Sequence, residues 1–211
     1  MLSIKDEYKR VRELFEKKGQ TCLSSRQHKD DREIYILGAF YELLFKGKQI
    51  APEYFKKPKP PEPDFHTYDS DMKFFKQIEV VENMHWGRKR GNEDKIPLDR
   101  KKYIVDDNRC QIRVWYSFIK NINQKFKKHY GKNSWLVIYH NINVNHISSV
   151  GWWINIIAFM KDEFVKRGLI NFSNSTYEKI FVLNSGLNEL VMIYPEDRVI
   201  FSEDAQYFMK K

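Results

Sequence analysis

Trp135-Leu136-Val137-Ile138-Tyr139 runs through five apolar residues without a polar break. Side chains alternate between the two faces of a strand, so an unalternating apolar run buries both faces. The run therefore predicts a strand at the centre of a sheet with covering layers above and below. The flanking sequence supplies those layers. Apolar residues at helical spacing predict a helix over Lys5 to Lys18, carried by Tyr8, Val11, Leu14 and Phe15. A second helix spans Arg32 to Phe45, with Ile34, Leu37, Tyr41 and Leu44 on one stripe and Asp30 or Asp31 as its cap. A third, Arg109 to His129, carries Ile112, Trp115, Tyr116, Ile119, Ile122 and Phe126. A fourth starts at Ser148 or Ser149 and ends at Arg167, closed by Gly168.

Four further strands are expected at Asp64 to Tyr68, Phe74 to Val81, Ile180 to Leu183 and Leu190 to Tyr194. Asp69-Ser70-Asp71 turns the first into the second. Ser24 to His28 and His85 to Asp99 read as loops, and Ser202 to Lys211 as a short helix. Helices interleaved with strands predict an α/β fold. At 211 residues the chain is expected to form one domain over 1–211. Its parts are an N-terminal helix and loop (1–27), a core region (32–140) and C-terminal helix and strands (148–211). Five of the seven prolines, Pro52, Pro58, Pro60, Pro61 and Pro63, fall between Ala51 and Pro63. Such a density forbids a helix and a central strand, leaving a rigid loop or edge segment, or an extended ligand for a partner.

Lys and Arg number 37 against 28 Asp and Glu, a formal charge of +9. Between Arg100 and Lys132 ten basic residues face only Asp106 and Asp107. Further basic stretches are Lys46 to Lys59 and Arg88-Lys89-Arg90. The excess points to a polyanionic partner, or to a solvated basic surface. Two cysteines, Cys22 and Cys110, make no disulfide framework and offer no paired metal spacing. No apolar run approaches the ~18 residues that span a bilayer. The N-terminus scatters its charges, unlike a secretory leader, so a cytoplasmic protein without membrane contact is expected. A Gly-rich phosphate loop is absent, which speaks against a nucleotide cofactor.

The residues with most chemistry are Asp64, after Pro63, and Glu79, 15 positions later within Gln77-Ile78-Glu79-Val80-Val81-Glu82. If the two segments pair as adjacent strands, the carboxylates converge on one hard divalent cation. Mg²⁺ is bound through one or two carboxylates plus waters and substrate phosphates. Phosphodiester hydrolysis needs an activated water, a stabilised phosphorane and a neutralised leaving oxygen, all within reach of such a cation. A basic, aromatic chain around two acids thus points to metal-dependent chemistry on nucleic acid.

Pro63-Asp64 and Ile78-Glu79-Val80-Val81 resemble the two halves of the PD-(D/E)XK motif of the restriction-endonuclease-like nucleases. The resemblance covers Arg32 to Tyr139. It implies a core of helix, three strands, helix and strand, with a mixed central sheet flanked by helices. It implies a Mg²⁺-dependent endonuclease acting on DNA, duplex rather than RNA, with Mn²⁺ as a substitute and a homodimer as a common assembly. An acid on the first helix often completes the family's metal site. Glu33 is the first candidate and Glu42 the second. The family's lysine belongs two positions after the strand acid, where this chain has Val81. Three readings stay open: Lys125 on the following helix replaces it; the register shifts so that Gln77 and Glu79 take the paired positions; or catalysis is lost and nucleic-acid binding remains. Arg88, Lys89 and Arg90, with Lys120 and Lys127, are the expected backbone contacts. A defence or mobile-element interaction protein, reached through the Pro-rich segment, is the further alternative.

Asn83 and His85 continue the face of Glu79, as metal neighbours or as a plain strand end. His129, His140 and His146 fit no zinc spacing. Trp152-Trp153 reads as core packing or a dimer surface.

Overall fold

The computed structural model describes residues 1–18, 28–46, 48, 51–83, 110–140, 160–184 and 188–201, with backbone alone at 110–115 and 160–162. Among them eight strands form one mixed sheet whose spatial order follows the chain. In sequence these are β1 (Leu2–Ser3), α1 (Ile4–Lys18), α2 (Lys29–Leu44), β2 (Tyr54–Lys56), β3 (Phe65–Tyr68), β4 (Phe74–Asn83) and α3 (Cys110–Phe126). There follow β5 (Ser134–His140), a π-helical turn (Met160–Val165), a 3₁₀ turn (Phe172–Asn174), β6 (Lys179–Asn184), β7 (Glu189–Tyr194) and β8 (Arg198–Phe201). β1 to β4 pair antiparallel, β4, β5 and β6 parallel, and β6 to β8 antiparallel again. The chain is therefore α/β, with the expected central run inside β5. All seven residues of β5 are buried.

Two cores cover the two faces. Ile78, Val80, Val137, Tyr139, Phe181 and Leu183 pack against α1 and α2. Leu136, Ile138, Ile180 and Val182 pack against Phe118, Ile122 and Phe126 of α3 and against Phe164, Ile170 and Tyr177. That parity puts Glu79 and Val81 on the α3 face and Val80 and Glu82 on the α2 face.

Several boundaries move. Neither Asp30 nor Asp31 caps α2, which starts at Lys29 after His28 without a side-chain cap. Both aspartates lie in the first turn, where the helix dipole favours an anion. Asp30 pairs with Lys57, and Asp31 with Arg10 and His28. Helix α3 stops at Phe126, short of His129, and the Lys128 N–H folds back onto the Lys125 carbonyl. The proline-dense segment holds β2, which lies between β1 and β3. The β3–β4 turn forms as expected, with Asp69 Oδ1 accepting from the amides of Asp71 and Lys73. Strands β1 and β8 were not expected; two and four residues are too few for a period to show. Of the expected fourth helix, its last turn is described, and Gly168 after it adopts φ +67°. Its start at Ser148, Trp152-Trp153, the tail from Ser202, Cys22 and His146 lie outside the described residues. No helix among the described residues is long and apolar enough to cross a membrane.

Gly38, in the middle of α2, has a specific cause. A Cβ there would lie 2.3–2.6 Å from Cγ, Cδ2 and Cβ of Tyr8, which occupies that space. Gly38→Ala should therefore destabilise the fold by about 1–3 kcal/mol through overpacking, although alanine is the better helix former. Denaturant unfolding of the variant checks this.

Candidate functional site

Strand β3 is shorter than its partner. Phe65 lies across from Ile78, so one step back along the same register Asp64 lies across from Glu79. Directly opposed residues in an antiparallel pair stand about 4.5–5.5 Å apart at Cβ. Asp64 is no longer part of the ladder; its Oδ2 accepts the Val80 N–H at 2.8 Å. That side-chain bond satisfies a strand donor where backbone pairing ends, and it anchors the carboxylate at the notch beside β4.

Glu79 is 1% exposed. Two ammonium groups meet its Oε1: Lys125 near the end of α3, and Lys128 at 2.8 Å in the turn that follows. Its Oε2 has no hydrogen-bond partner among the described residues. Burial works against a charged Lys128, but hydrogen bonds to Glu79 and Tyr130 and their charges outweigh it and hold the ammonium above its usual range. Asp64 is pushed the other way for a carboxyl group, up to about 6. Burial is the main cause, and the charges of Glu79 and Glu33 add to it, against the Val80 N–H and Lys125. Two neighbouring acids thus crowd one site, and each disfavours the other's ionisation.

These groups share a cavity of about 920 Å³. Its walls come from the N-terminal part of α2, the proline segment before β3, β4, the end of α3 and the turn after it. Four cationic side chains line it, Lys29, Arg32, Lys125 and Lys128, against five carboxylates, Glu33, Glu62, Asp64, Glu79 and Glu82.

No family model, curated protein or solved structure matches the chain. The site must be judged on its own chemistry.

The structure brings Asp64, Glu79, Gln77, Glu33 and Lys125 to one cavity. Gln77 Oε1 accepts from Ser134 Oγ at 2.8 Å. Glu33 is engaged with other partners: Oε2 meets Lys57 at 2.8 Å and Oε1 meets Lys29 at 3.4 Å. Among the described residues no three acidic, His or Cys side chains converge as a metal cluster, so Glu33 does not join the acid pair as a third ligand. Glu42 is elsewhere. It accepts from the Tyr8 hydroxyl in a separate cavity between α1, α2 and β2. Nine residues at about 100° each put it on the side of α2 opposite Glu33. Lys120 on α3 and Lys127 just past its end are exposed and do not line the cavity. Arg88, Lys89 and Arg90, with His85 and Trp86, lie outside the described residues. Asn83 is buried against His140, with Nδ2 and Nδ1 3.2 Å apart, beyond the cavity. His129 lines the cavity, the one histidine among the described residues that does.

Sequence reasoning missed Lys128 and Arg32. Lys128 sits past the helix end, where 3.6-residue periodicity no longer says which way a side chain points. The Lys125-x-x-Lys128 spacing was the available signal. Arg32 is buried, and its guanidinium lies 3.7 Å from Glu82 across the notch.

Proposed function

We propose that the chain is a magnesium-dependent deoxyribonuclease built on a restriction-endonuclease-like core. One observation carries the reading: Asp64, at the end of β3, opposes Glu79 of β4, with Lys125 on Glu79, in a single cavity. The element order supports it. Helix α2, antiparallel β2, β3 and β4, the crossover helix α3, and β5 parallel to β4 follow the family's helix, three strands, helix and strand.

Asp64 and Glu79 would hold the cation. The donor set fits it: both donors are carboxylates, one buried oxygen of Glu79 lacks a partner, and a hard cation needs no more than two such ligands when water and phosphate complete its shell. When bound, the cation supplies Lewis-acid stabilisation and lowers the pKa of a coordinated water. Hydrolysis adds the oxygen of water to phosphorus and breaks one P–O ester bond, with the proton passing to the leaving oxygen. Lys125 and Lys128 neutralise Glu79 and fix its orientation, and they are the cationic groups placed to meet phosphate charge. Lys125 comes from α3 rather than from β4, which accounts for Val81 where the motif has lysine; Val81 packs on the α3-side core. Gln77 is tied to Ser134, which disfavours the shifted register.

The wall charges speak to the non-catalytic alternative. Among the described residues five carboxylates face four cations, so a bound divalent ion would supply positive charge that favours DNA entry. Binding of labelled DNA at fixed ionic strength should be at least tenfold tighter with Ca²⁺ or Mg²⁺ than with chelator, and equal affinities would favour a metal-free binding protein. The direct test incubates single-stranded, plasmid and linear DNA with Mg²⁺ or Mn²⁺ and compares wild type with Asp64→Asn and Glu79→Gln. Cutting that persists in both variants removes this site.

A further inference from the structure

We infer that this site, on the nuclease reading, takes an unpaired DNA strand rather than an uninterrupted duplex. Glu79 lies on the cavity floor at 1% exposure, so a scissile phosphate must descend to it. A volume of about 920 Å³ is that of a pocket for one small ligand, enough for a nucleotide or two and not for a double helix. The proline segment that forms one wall is tied down at both ends: Lys57 bonds Asp30 at 2.6 Å and Glu33 at 2.8 Å on α2, and Asp64 bonds Val80. Pro60, Pro61 and Pro63 stiffen the span between. Tyr130 and His129 also line the cavity, and a ring there can stack on an unstacked base. A paired strand reaches the floor by displacing that strap or by flipping a nucleotide, with loss of stacking. A free strand bends in without that loss.

The test uses one sequence in three forms: single-stranded, as a duplex with a single-stranded overhang, and as a blunt duplex closed by hairpins at both ends. Cleavage is measured with Mn²⁺ and binding with Ca²⁺ by anisotropy. The expected result is at least tenfold faster cleavage and tenfold tighter binding of the first two, with cuts confined to unpaired nucleotides. Loosening the strap by Pro60→Gly with Pro61→Gly lowers that ratio at least threefold. Equal cutting or binding of the closed duplex overturns the inference, and so does a ratio unmoved by the loosened strap. A preference seen in binding without cleavage of any form supports the inference and sinks the nuclease reading instead.

Discussion

Asp64→Asn is expected to melt at a higher temperature than wild type at pH 7.5 in chelator, and to lose DNA cleavage by at least 10²-fold. Both effects follow from one burial. The carboxyl group of Asp64 ionises near 6 in the folded protein against 3.8 when unperturbed. A folded pKa above the unfolded one means the native state binds more protons between those values, so stability falls as pH rises from about 4 to 6. At neutral pH the ionised carboxylate costs up to about 3 kcal/mol, the upper bound set by a shift of some two units. Asparagine keeps an oxygen for the Val80 N–H and removes the charge. The variant's advantage should fade below pH 4, where both side chains are neutral. Thermal melts at pH 3.5 and 7.5 measure it; a variant no more stable than wild type at pH 7.5 would show that Asp64 is not under electrostatic pressure. A site that holds a destabilising charge at the cost of stability is expected where that charge binds something.

The parts of this reading differ in how legible they were in the sequence. β5 was legible because burial on both faces leaves an unbroken apolar run. That the segments of Asp64 and Glu79 pair was legible from the turn at Asp69-Ser70-Asp71; their register was not, because it shifts between Thr67 and Tyr68 and no local pattern announces that shift. The role of Glu33 was not. Its stripe on α2 does put it on the cavity, but nothing local says that Lys57, 24 residues later, reaches it first. Lys125 was found because helical phase extends from the apolar stripe to its neighbours. Lys128 escaped because that phase ends at Phe126. Local periodicity, in short, says which face a residue occupies; a long charged side chain chooses its partner through tertiary geometry that no window of sequence contains.

Lys125→Met should destabilise the fold by about 2–4 kcal/mol, because it strands a buried carboxylate with half its compensating charge. Lys128 remains on Glu79 Oε1 but is 46% exposed at its side chain, against 17% for Lys125, and shares its charge with solvent. The combination Glu79→Leu with Lys125→Met removes the pair rather than breaking it, and apolar replacements of similar size recover most of the loss. A double-mutant cycle by denaturant unfolding is expected to give a coupling of at least about 2 kcal/mol. Activity follows a different pattern: the double variant folds and does not cut, since it lacks an acid for the cation and an ammonium for the phosphate. That divergence separates the two roles of the pair. A lysine serving stability alone would give a destabilised Lys125→Met enzyme that still cuts wherever it remains folded. If Lys125→Met instead costs under about 0.5 kcal/mol and cuts normally, Lys125 is a surface group, and Gln77→Ala becomes the informative variant for the shifted register.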